Sequence, residues 1–113
     1  MRRLIADTVR IDERVREYIV RLGRATRSPG DVGLPQLREF MVLGISPRSY
    51  QHVLALSRVN AFLHGRDFVL PADVKEIFPD TARHRIARSV RAEAEEITTD
   101  VMIAQLLDAV PIP

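Results

Sequence analysis

The chain has 113 residues, the size of one domain, and 46 % of them are apolar, so a real hydrophobic core can form. It holds no cysteine, which excludes disulfides, thiolate metal sites and cysteine nucleophiles. Its 17 Lys and Arg are interspersed with 15 Asp and Glu for a net charge of +2, which suits a solvated surface better than the one-sided footprint of a nucleic-acid binder.

No apolar run approaches the roughly 18 residues of a membrane span. Leu4 to Ala6 is too short for the core of a signal peptide. A soluble, cytoplasmic protein is expected. The first element is a helix. Val15, Tyr18, Ile19 and Leu22 fall at i, i+3, i+4 and i+7, Asp12 is placed to cap it, and Gly23 is its weak point before it frays near Thr26. Ser28-Pro29-Gly30-Asp31 reads as a loop. Leu34 to Leu43 reads as extended, although Pro35 would also suit a first helical turn.

Ser46-Pro47 predicts a helix start, with serine accepting from first-turn amides and proline preset in φ. That helix is expected to run to about His64 and stop at Gly65. Tyr50, Val53, Leu54, Ala61 and Phe62 can share one face, and Leu56, Val59 and Leu63 another, which predicts a central helix buried on two sides. Phe68 to Leu70 should be extended. Pro71 should open a helix over Ala72 to Phe78 that Pro79-Asp80 ends, with a further turn through Arg83 as an alternative. Ile86 to Val90 reads as extended, and a last helix should follow a Thr98 cap to about Val110. The chain is therefore expected to be all-α, a small bundle of about four main helices with minor extended segments.

Chemistry is sparse. There is no Gly-x-x-x-x-Gly-Lys-Ser/Thr loop to cradle a triphosphate and no Gly-x-Ser-x-Gly elbow. His52, His64 and His84 are not spaced as ligand pairs. Glu93, Glu95 and Glu96 read as a solvated charged run, and Asp67 and Asp73 as turn or first-turn residues. Taken alone, such a chain should not be an enzyme. The informative stretch is Gly44-Ile45-Ser46-Pro47-Arg48, which sets an arginine in the first turn of a helix, where free amides and the helix dipole favour a phosphate oxygen. By itself this is weak, because an arginine after Ser-Pro is ordinarily a solvated surface residue.

Three further stretches give it context: Gly65-Arg66-Asp67-Phe68-Val69-Leu70-Pro71-Ala72-Asp73-Val74-Lys75, Arg83-His84-Arg85-Ile86, and the closing Val110-Pro111-Ile112-Pro113. In this order they resemble the C-terminal lid of MoxR-family AAA+ ATPases over roughly residues 9–113, with part of the pattern shared by magnesium chelatase AAA+ subunits. Residues 1–8 would then be a junction with a preceding ATPase core. The resemblance implies that Arg48 is the sensor 2 arginine, reaching over nucleotide held by that core, with Ser46 and Pro47 fixing the helix end that aims it. It also implies ATP and Mg2+ as cofactors of the full-length protein, with none expected in the isolated domain. Its implied partners are the chain's own AAA+ core, neighbouring subunits of a hexameric ring and, as for many members, a von Willebrand factor A domain protein, in chaperone-like remodelling or assembly. Ile45, Phe68 and Leu70 depart from the family pattern, and Leu70 replaces a Ser or Thr cap at a cost of about 1 kcal/mol. Arg83, His84 and Arg85 read first as structural, with His84 satisfied locally, and contact with a neighbouring subunit as the other role. The competing readings are a helical nucleic-acid-binding module and a protein-interaction bundle without a nucleotide role.

Overall fold

The structure, a computed structural model, describes residues 9–113; the expected junction at 1–8 lies outside them. Helix α1 (Glu13–Arg27) starts where Asp12 accepts a hydrogen bond from the Arg14 N–H at 2.8 Å. That bond holds the Asp12 carboxyl below its ordinary range. Glu13 in the first turn and Arg24 and Arg27 in the last complement the helix dipole. Val15, Tyr18, Ile19 and Leu22 are buried as their spacing predicts. Gly23 is not a weak point but a seat: a Cβ there would fall 1.9 Å from Cε1 of Tyr50, so the Tyr50 ring packs against bare backbone.

After α1 the chain departs from expectation. Residues Pro29–Val32, read as a loop, and Pro35–Glu39, read as extended, each form a short 3-10 helix opened by its proline. Leu37 is buried and anchors the second of these. Only Met41–Leu43 is a strand (β1). It pairs antiparallel with β2 (Ala87–Arg88), Met41 opposite Arg88 and Leu43 opposite Ala87. Two steps on β1 face one on β2, so a bulge interrupts the ladder at Val42, which is 62 % exposed.

Helix α2 (Pro47–Leu63) lies between α1 and α3 (Pro71–Arg83). Its end is a Schellman turn: the Arg66 N–H donates to the Ala61 carbonyl at 3.0 Å and the Gly65 N–H to that of Phe62 at 3.0 Å, with Gly65 at φ +74. Ser49, Val53, Leu54, Ser57 and Ala61 form its buried face, while Leu56 and Val59 are half-buried. The expected two-sided burial fails in the last turn, where Phe62 and Leu63 are exposed. Helix α3 runs through Pro79 rather than ending there. Proline removes one helical hydrogen bond, but Val74, Phe78, Thr81 and Ala82 continue a single buried face across it, and that burial outweighs the loss.

Only Ala87–Arg88 of the expected extended stretch is strand. Ser89 caps a short helix α4 (Val90–Ala94) that periodicity did not reveal, accepting from the Ala92 N–H at 3.1 Å while donating to the Glu39 carbonyl at 2.6 Å. Helix α5 (Thr99–Ala109) follows Thr98, whose hydroxyl accepts from the Val101 N–H at 3.2 Å, and buries Met102, Ile103 and Leu106. Phe68 to Val69 is extended as predicted and bridges to Arg10 in parallel: the Arg10 N–H donates to the Asp67 carbonyl at 2.8 Å and the Val69 N–H to that of Arg10 at 2.9 Å. The architecture is the expected small all-α bundle, with Tyr18, Leu22, Ile45, Phe78, Met102 and Leu106 at its centre.

Candidate functional site

The start of α2 is set by a latch from α1. The buried Thr26 hydroxyl donates to the Gly23 carbonyl at 2.6 Å, and the Ile45 N–H donates back to that hydroxyl at 2.8 Å. Ile45, one of the departures from the family pattern, is fully buried and locks the segment down. Gly44 passes so close that a Cβ would fall 2.8 Å from the Thr26 carbonyl oxygen and 2.5 Å from Cγ of Arg27. Gly44→Ala should therefore destabilise the fold by about 1–3 kcal/mol, because backbone has to move. A chemical denaturation midpoint equal to that of the parent chain would show that the two segments can separate freely.

From this anchor Ser46, Pro47 and Arg48 emerge, all three exposed. Ser46 sits at the N-cap with φ −81 and ψ 160, but its side chain makes no capping hydrogen bond, contrary to expectation. Its carbonyl instead receives the Ser49 N–H at 2.9 Å. Arg48, the second residue of α2, makes no ion pair or side-chain hydrogen bond among the described residues. A guanidinium without a described partner at the positive end of a helix can take an oxyanion. Beside it lies a cleft of about 310 Å³ lined by Ser46, Gly44, Arg27 and Arg38 among others.

The remaining sequence candidates separate into structural and unengaged groups. Asp73, read as a first-turn residue, is 1 % exposed and is the hub of a polar cluster. Its carboxylate pairs with the Arg66 guanidinium, accepts from the Asn60 amide at 2.9 Å, and accepts from the Leu70 N–H at 2.8 Å. Leucine at 70 has no acceptor to offer the helix, so this reverse half of a capping box is what secures the α3 start. Arg83 ties α3 to α5, donating to Asp100 at 2.8 Å and Asp80 at 2.9 Å, and the bond to Asp100 leads in raising its pKa. His84 and Arg85 are exposed, and among the described residues His84 has no side-chain hydrogen bond, so the expected local partner is missing. His64 faces the Asn60 carbonyl at 2.7 Å, a contact within its own helix. Asp67 is exposed, as are Glu93, Glu95 and Glu96. Among the described residues no three His, Asp or Glu side chains gather as metal ligands, and no helix is long and apolar enough to cross a membrane.

The family model of the AAA lid domain matches residues 38–105, which include Arg48 and the Asp73 cluster. The chain is similar to Chaperone MoxR1 of Mycobacterium tuberculosis, at 37 % identity over 86 % of this chain and 26 % of that protein. It is similar to Protein MoxR of Paracoccus denitrificans, at 33 % identity over 88 % of this chain and 31 % of that protein. A crystal structure from Cytophaga hutchinsonii, of a protein assigned as an ATPase, superposes with a TM-score of 0.93 at 36 % identity, over 98 % of this chain and 34 % of that one. The chain thus spans about a third or less of the lengths of these relatives.

Proposed function

The chain belongs to the AAA lid domain family, as a lid of the MoxR type, and from that premise we propose that it senses ATP through Arg48 and couples hydrolysis to chaperone-like remodelling or assembly of partner proteins. The observation that supports this reading is Arg48 itself: exposed, without a partner among the described residues, and in the first turn of the long central helix. Triphosphate and Mg2+ would be held mainly by the ATPase core of a longer protein, the lid supplying one guanidinium to a phosphate oxygen. Pro47 presets the helix start, Ser46 supplies its N-cap backbone, and the Thr26–Ile45 latch fixes the segment that leads into it. Because α2 packs on both α1 and α3, a pull on Arg48 would be carried into the whole bundle rather than into one loop. In this reading residues 9–113 form the lid and 1–8 the junction, the ring is hexameric and cytoplasmic, and a von Willebrand factor A domain protein is a partner.

The decisive experiment is the ATPase rate of the full-length protein with Arg48→Ala, where unchanged turnover would remove Arg48 from the mechanism. The 113-residue chain alone should hydrolyse no ATP and bind it no more tightly than the millimolar range. One arginine and one helix end offer a few charge-assisted hydrogen bonds, too few to offset the ordering of a hydrated triphosphate. Titration calorimetry giving low-micromolar affinity would reveal a complete site in this chain.

A further inference from the structure

We propose that the cleft beside the start of α2 is a second oxyanion site, distinct from Arg48, in which Arg27 and Arg38 take a phosphate group. Both arginines are exposed, and both line this cleft of about 310 Å³ and the adjoining one of about 290 Å³, so they stand at the boundary between the two. Neither has an ion pair or side-chain hydrogen bond among the described residues, a condition they share with several other surface arginines, but these two face the same pair of clefts. No acid lines the first cleft. Asp31 lines the second, and it pairs with neither arginine.

The first of these cations is also held in place. Its neighbour Thr26 is fixed by two hydrogen bonds, and the bare backbone of Gly44 lies directly against its Cγ. A stem ordered in advance loses less freedom when its head binds a ligand. Ser46, whose hydroxyl is unused as a cap, lines the same cleft and carries a donor for a bound oxyanion. Two arginines and a serine around one cleft supply the donor types that the tetrahedral oxygens of phosphate accept from, several at once. Arg48 does not line this cleft, so the site stands whether or not Arg48 senses nucleotide.

The test is an amide-resolved NMR titration of the chain at low ionic strength with pyrophosphate, inorganic phosphate, ATP and, as a control, potassium chloride at matched ionic strength. Saturating shifts at Arg27, Gly44 and Ser46 are expected with pyrophosphate and not with chloride. Arg27→Gln and Arg38→Gln should each raise the dissociation constant about tenfold, and Arg85→Gln, a change at an exposed arginine outside both clefts, should leave it unchanged. If ATP reproduces the pyrophosphate shifts, the phosphate recognised can be that of a nucleotide; saturation by inorganic phosphate but not ATP would assign the site to the free anion. Shifts that chloride matches, that persist in Arg38→Gln, or that vanish only in Arg48→Ala would overturn the proposal. None of these outcomes depends on the turnover of the full-length enzyme, so the two readings fail separately.

Discussion

Asp73→Ala should lower the unfolding free energy by about 3–5 kcal/mol, the range for removing one partner of a buried ion pair. The carboxylate is 1 % exposed and takes three donors from three places: the Arg66 guanidinium after α2, the Asn60 amide within α2, and the Leu70 N–H ahead of α3. Alanine would leave the Arg66 guanidinium and the Leu70 N–H unmatched and Asn60 with only its second acceptor, Glu76 at 3.0 Å, in a cluster where the Arg66 Nε already lacks a hydrogen-bond partner. It would also unfasten α2 from α3, the most extensively packed pair of helices among the described residues. Asp73→Asn should recover little, since its NH₂ would face a row of donors. Against a total stability of about 5–15 kcal/mol for such a domain, the loss would bring it close to unfolding at growth temperature. Urea denaturation should show a much lower midpoint with an unchanged slope. A loss below about 1 kcal/mol would mean that solvent replaces the carboxylate as readily as it does in a surface pair.

Asp73 also marks where sequence reasoning stops. An aspartate three residues after a helix boundary is ordinarily a first-turn acid, and local spacing says no more. Its partners lie seven and thirteen residues upstream, and only the turn at Gly65 brings them back onto the α3 start. The Gly65-to-Lys75 stretch was thus recognisable as a pattern before its physical role was visible. Helices with one periodic apolar face, α1 and α5, were legible because burial and spacing carry the same information. Pro79 misled because its local penalty is plain in the sequence, whereas the buried face that continues across it depends on tertiary packing. Short elements such as α4 and the two 3-10 helices hold too few residues for a period to register. At the candidate site the arginine could be named from sequence, but the idle Ser46 hydroxyl and the Thr26 latch could not. The latch is a contact across nineteen residues that no local spacing encodes, and Ser46 carries the residue type of a cap without making the capping bond.

If Arg48 acts as proposed, Arg48→Ala in a longer protein that carries an ATPase core should reduce turnover on the order of 100-fold, the scale of losing one positioned donor to developing negative charge. The same change should leave lid stability within about 0.5 kcal/mol, since the side chain is exposed and makes no described contact to lose. The separation between the two effects identifies a functional rather than a structural arginine. Phosphoryl transfer shifts negative charge among the phosphate oxygens, and a fixed guanidinium stabilises that shift more than it stabilises bound ATP. The defect should therefore appear mainly in kcat, with a smaller change in KM. Arg48→Lys should rescue poorly, because an ammonium is a point charge and cannot make two parallel hydrogen bonds to one phosphate. Steady-state ATPase kinetics beside a thermal melt of the lid read both quantities. Loss of turnover accompanied by a matching loss of lid stability would make Arg48 a structural residue. Full rescue by lysine would reduce its role to bulk charge.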